Sequence, residues 1–169
     1  WISLGDLAST RTWAAEHRRA DAESDSYLDQ YNALTEVRLL LAEHRAVGVD
    51  GEFADQAMGL IGRVLESAMG GGGGLVEATM LRGLANAARG DVDAALDYIS
   101  EAVVNGVPAR YVRLFLDEGQ PMVDLLGKLA QDRRRSEPAE LAQRLLTSAE
   151  RQQADEVIAP VLDDALSQR

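Results

Sequence analysis

Periodicity is what most constrains this chain. Apolar residues recur at three- and four-residue steps through almost its whole length, and no stretch alternates apolar with polar long enough to build a half-buried strand. Over residues 53–69 the stripe is Ala54, Ala57, Ile61, Val64, Leu65 and Ala68. Over residues 75–89 it is Ala78, Leu81, Leu84, Ala85 and Ala88, and beyond Gly90 it is Val92, Ala95, Leu96, Ile99, Ala102 and Val103. Stripes of this period turn one face of each helix toward a core. Alanine and leucine, 26 and 23 of the 169 residues, agree with that reading, since both are strong helix formers and alanine lets two helices close on each other. The expected fold class is all-α.

The punctuation between stripes sets the helix boundaries. Ser3 and Asp6 have capping-box spacing at the head of a helix reaching His17, and Ser26 and Asp29 repeat it before a helix that runs to about Glu43 with Tyr31, Leu34, Val37 and Leu41 on one face. Gly48 and Gly51 mark a turn, and five glycines at 70–74 read as a flexible connection between helices. Gly90 ends one helix and Asp91 caps the next. Pro108, Gly119 and Pro121 bound a short segment at 111–117, followed by a helix using Met122, Leu125, Leu126 and Leu129. The run 132–135 reads as a solvated charged turn. Ser136 and Pro138 then open a helix with Leu141, Leu145, Leu146 and Ala149 inward. Residues 151–155 are polar and read as a linker, and Pro160 argues against one regular helix over 157–169. Short connections between helices of similar length imply antiparallel hairpins.

Charge and chemistry narrow the function. The formal net charge is −11, from 28 acidic and 17 basic residues, which disfavours direct contact with nucleic acid. There is no cysteine, which excludes disulfides, a thiol nucleophile and a cysteine zinc site and fits the reducing cytoplasm. His17 and His44 have no second ligand at metal-binding spacing, so no metal is expected. The glycine run lacks the Lys-Ser/Thr of a phosphate loop, and no cofactor motif appears. Asp117 and Glu118 are adjacent in a tight turn and point apart, which suits helix termination or pairing with Arg110 or Arg113 better than acid–base catalysis. Arg133, Arg134 and Arg135 stand among acids as a solvated face, and Met80 and Met122 read as core fillers. Nothing assembles a nucleophile–base set, so no enzyme is expected. No apolar run approaches a membrane span.

The chain also repeats itself. Residues 90–103, GDVDAALDYISEAV, resemble the second helix of a tetratricopeptide repeat: Gly90 permits the turn, Asp91 caps, and Ala95 and Ala102 admit the partner helix. A weaker copy begins at Gly51 as GEFADQA, with Ala57 and Ala95 38 positions apart, a little above the usual period of about 34. A hairpin cannot bury its apolar face alone, so hairpins stack. The repeat favours a right-handed superhelix of stacked antiparallel hairpins, a tetratricopeptide-like α-solenoid, over an ordinary bundle.

A second string is more discriminating. Residues 111–126 read YVRLFLDEGQPMVDLL and follow the GD…AL…A helix closely. Together, residues 81–126 resemble the helical repeat region of MalT-like regulators, the large ATP-binding members of the LuxR family. The final LSQR at 166–169 is similar to the LSxRE that opens a LuxR-type helix-turn-helix. The resemblance implies a repeat domain over residues 1–150 and a linker over 151–169 leading to a DNA-binding module beyond the chain. It further implies a small-molecule inducer or a protein partner, no bound cofactor in this region, and DNA contact only through that absent module. Self-association stays open.

In stacked hairpins the first helix of each pair lines the concave side. On that basis Tyr31 and Arg38 on one helix, and Glu77, Arg82 and Asn86 on another, are the candidate groove residues, because arginine and tyrosine combine hydrogen bonding with planar stacking. Two functions fit: a signal-sensing domain of a transcriptional regulator, and a generic adaptor holding a peptide of another protein.

Overall fold

The computed structural model describes residue 12 and residues 27–47, 52–67 and 73–167. Within them lie seven α-helices and no strand: α1 (Tyr27–Val47), α2 (Glu52–Ser67), α3 (Gly73–Ala88), α4 (Val92–Gly106), α5 (Val112–Leu116), α6 (Gln120–Gln131) and α7 (Ser136–Ser167). The expected helix over residues 3–17, the cap at Ser26, His17, Ala68 and the turn glycines 48 and 51 fall outside the described residues, Thr12 excepted.

The periodic stripes do form the core. Ala54, Ala57, Ile61 and Val64 of α2 are buried, as are Ala78, Leu81, Leu84 and Ala85 of α3 and Met122, Leu125, Leu126 and Leu129 of α6. Each fully buried leucine or isoleucine contributes about 1.5–3 kcal/mol. Helices pair as hairpins, α1 with α2, α3 with α4 and α6 with α7. Each pair then packs on the next: α3 lies against α1 and α2, and α4 against α6 and α7, with α5 wedged on α6 and α7. One core runs from Leu34 of α1 to Leu145 of α7. This is the stacking of a tetratricopeptide-like solenoid.

Local chemistry sets the joints. Gly90 takes φ +83°, which other residues rarely adopt, and turns the chain between α3 and α4. Asp91 caps α4, its carboxylate accepting the Ala94 N–H at 3.1 Å. The hairpin closes at Gly83, where an added Cβ would stand 2.6 Å from Ile99 Cδ1.

Several expectations shift. Tyr31 and Val92 lie at the ends of their stripes and are exposed, whereas Leu39, Leu40 and Ala42 of α1 are buried beside the expected face, so α1 is covered on more than one side. Gly73 and Gly74 belong to the first turn of α3 and not to a loop. The turn after α6 is tied down: Arg135 donates to Asp132 and, at 2.5 Å, to Asp97 of α4. Helix α7 continues through residues 151–155 and past Pro160 to Ser167. Arg151, Gln152, Gln153 and Ala154 are good helix formers, so a polar composition there is compatible with continued helix.

Candidate functional site

Helices α1, α3 and α6, the first members of the three hairpins, face one another across a cavity of about 430 Å³. Its apolar wall is Leu41, Leu84, Ala87, Ala88 and Leu125, and its polar rim is His44 and Arg45 of α1 with Asp124 and Lys128 of α6. The opening arises from sequence: α3 carries alanines at 87 and 88 where larger side chains would fill the space, and Pro121 starts α6 with a fixed φ just after Gly119. The volume falls in the range of pockets that take small molecules, roughly 300–1,000 Å³.

An ion network stands one face-repeat away along α1. Arg38 lies seven residues before Arg45, on the same stripe and about 10 Å along the axis. Its Nη1 donates to Glu77 Oε1 at 2.6 Å, and its Nε donates to Glu118 Oε1 at 2.7 Å, with Nη2 2.6 Å from the same oxygen. Three elements meet in these contacts: α1, α3 and the turn between α5 and α6. Burial works against the Arg38 charge, but the two carboxylates, Glu118 ahead of Glu77, outweigh it and hold its pKa above the ordinary arginine value. Glu118 is the more enclosed partner, its side chain 11 % exposed against 24 % for Arg38. Burial therefore pushes its carboxyl up despite the attraction of Arg38. Burial also lowers the pKa of Arg45, opposed by the charge of Glu118. Asp117, the neighbour of Glu118, pairs with Arg113 at 3.1 Å as expected, while Glu118 leaves that pattern for an arginine 80 residues away.

Of the five groove candidates, Arg38 and Glu77 meet in the network. Tyr31 shares the Arg38 stripe and is exposed at its far end. Arg82 and Asn86 point elsewhere, because they lie about 140° and 180° round α3 from Glu77. Arg82 stacks on the ring of Tyr98 in α4 at 4.5 Å, with its Nε buried and unpartnered. Asn86 is buried, its Nδ2 donating to the Arg82 carbonyl at 2.8 Å and lying 4.0 Å from Met58 Sδ of α2. Arg82 therefore packs α3 on α4 within one hairpin, and Asn86 faces α2 of the neighbouring one. Sequence reasoning passed over His44, Arg45, Glu118, Asp124 and Lys128. Helical phase was the available signal for one of them: Arg45 continues the Arg38 stripe through Leu41, just as Leu84 and Ala88 of the wall continue that of Glu77.

His44 is half-buried as expected, with Nε2 3.0 Å from the Ala88 carbonyl. Among the described residues no group of three His, Cys, Asp or Glu could hold a metal ion. No described helix is long and apolar enough to cross a membrane.

A family model described as the MalT-like TPR region matches residues 1–132. No curated protein and no solved structure matches the chain.

Proposed function

Since the chain belongs to the family of MalT-like TPR regions, we propose that it is the signal-sensing domain of a LuxR-family transcriptional regulator, holding a small effector between α1, α3 and α6. The observation that carries this reading is the cavity itself, apolar within and charged at the rim. A compact molecule suits a hollow of about 430 Å³ better than an extended peptide does, which favours effector sensing over a peptide-binding adaptor.

The same geometry offers a route for the signal. α6 supplies one wall of the cavity and packs along α7, which runs on to Ser167. A ligand touching α1, α3 and α6 together changes the balance between arrangements of the α6–α7 pair by its differential contacts with them. We take residues 151–169 as the connection through which that change reaches a DNA-binding domain.

The test uses the full-length protein and a transcriptional reporter. Ala88→Phe, which fills the cavity, is expected to abolish the response to inducing conditions while binding to promoter DNA survives. An undiminished response, or a catalytic domain in place of a helix-turn-helix beyond Arg169, would reject the regulator reading. Capture of one defined peptide that competes along Arg38 and Tyr31 would favour the adaptor.

A further inference from the structure

Two cations converge on the cavity mouth in a chain whose charge is −11. Arg45 comes from α1 and Lys128 from α6, on opposite walls, and neither makes an ion pair with a described residue. Elsewhere four described arginines are in ion pairs: Arg38 with Glu77 and Glu118, Arg89 with Asp55, Arg113 with Asp117, Arg135 with Asp97 and Asp132. In a chain with 28 acids to 17 bases, a hollow lined by two such cations and one acid is locally basic against the general charge. Asp124, the acid on the rim, is occupied by the Gln120 amide at 2.7 Å.

The neighbouring groups define what else a ligand meets. Glu118 is spent on Arg38, so Arg45 feels its charge without contact. Part of the Arg45 side chain is taken out of water by the wall, where a charge-assisted hydrogen bond is stronger than in open solvent. His44 presents its Nε2 to the Ala88 carbonyl, so in the neutral ring that nitrogen carries the proton. Nδ1 is then an acceptor, buried and without a protein partner, which suits a hydrogen-bond donor on the body of a ligand and not its anionic group.

Resting on the sensing role assigned above, we infer that the effector is a small amphipathic anion. Its carboxylate or phosphate bridges Arg45 and Lys128, and its apolar body lies on Leu41, Leu84, Ala87, Ala88 and Leu125. Such a ligand ties α1 to α6 electrostatically, across the joint that Arg38 and Glu118 already hold.

Three probes of one shape and different charge test this on the whole chain: phenylbutyrate, phenylbutanol and phenylbutylamine, titrated by calorimetry and followed by methyl resonances of Leu41, Leu84 and Leu125. Phenylbutyrate is expected to bind about tenfold or more tighter than the alcohol, and the amine weakest. Arg45→Gln with Lys128→Gln should bring phenylbutyrate down to the alcohol's affinity with the helical circular dichroism unchanged. If the alcohol or amine binds as well as the acid and moves the three leucines, the anionic effector is wrong and the cavity reading survives. The same holds if the double variant has no effect on a probe that moves those leucines. If no probe moves them up to millimolar concentration, the anion and the cavity fall together. The methyl shifts locate each probe without relying on any variant that fails to fold.

Discussion

Gly83 of α3 faces Ile99 of α4 so closely that a Cβ built on the glycine would lie 2.6 Å from Ile99 Cδ1, 2.8 Å from its Cγ1 and 3.2 Å from the Ala95 carbonyl oxygen. Two helix axes approach here because one side chain is missing and its neighbour, Ala95, is small. Gly83→Ala gains roughly 1 kcal/mol in helix propensity, but overpacking a closed core costs about 1–3 kcal/mol, and Ile99 has no exposed side to retreat to. We expect a net loss of stability. Gly59 of α2 is the control, since its added Cβ meets nothing within 4 Å. Gly59→Ala should raise the melting temperature by about 2–4 °C. Thermal melts of both variants decide it; equal gains would mean that the α3–α4 approach is looser than described.

Glu118 gives a prediction with a sign. Burial raises its carboxyl pKa above the ordinary value of 4.5. A raised carboxyl binds its proton more tightly in the folded chain than in the unfolded one, so its contribution is fully present below the unfolded pKa and is lost as pH rises through the folded pKa. Glu118→Gln removes that loss and keeps an oxygen to accept from Arg38. The variant should therefore gain on the parent in urea midpoint as pH is raised from about 4 toward neutrality. Arg38→Ala, by contrast, leaves Glu118 enclosed without its partner and should cost on the order of 2 kcal/mol, less than for a fully buried pair because Arg38 is partly solvated. A Glu118→Gln profile parallel to the parent's would assign the carboxyl an unshifted pKa.

Helix periodicity made the architecture readable before any coordinates, and it failed in instructive places. The stripes of α2, α3 and α6 needed only their own residues, because each helix buries one face whatever its neighbour is. Leu39, Leu40 and Ala42 of α1 could not be placed in that way, since a helix covered on two sides has no single stripe. That residues 151–155 are helical was not legible, because polar helix formers and irregular polar segments look alike in sequence. For the site, Arg38 and Glu77 were legible as polar positions on first helices. Their third partner was not, because Glu118 reaches Arg38 across 80 residues through the turn at Gly119. The cavity depends on what is small, Ala87 and Ala88, and small residues in an alanine-rich chain carry no visible mark.

Arg82 separates a structural arginine from a ligand-binding one. Its guanidinium lies 4.5 Å from the Tyr98 ring centroid, on the side of α3 turned from the cavity. A cation over an aromatic face contributes about 0.5–1 kcal/mol when partly exposed, and its aliphatic stem adds packing. Arg82→Ala should lower the melting temperature by a few degrees and leave phenylbutyrate binding unchanged. Weaker probe binding at unchanged stability would return Arg82 to the concave face.

Ile99 tests whether the hairpins unfold separately or as one body. It is fully buried at the middle of α4, the helix that touches α3 on one side and α6 and α7 on the other. In a stack, each repeat contributes its own stability and that of its interfaces, so a lesion at the end can be shed while the remainder stays folded. A lesion in α4 has no such outlet, because losing it removes the surface on which α6 and α7 rest and leaves α3, which carries α1 and α2, without its hairpin partner. Ile99→Asp deletes a buried side chain and places a carboxylate in the apolar core, a cost on the order of 5 kcal/mol, comparable to the whole stability of a domain this size. Helical circular dichroism should collapse in one step. Ile99→Val, costing about 0.5–1.5 kcal/mol, should melt a few degrees early with the same cooperativity. If Ile99→Asp instead keeps half of the helical signal, α1–α2 and α6–α7 stand without α4, and the core from Leu34 to Leu145 is two cores in contact.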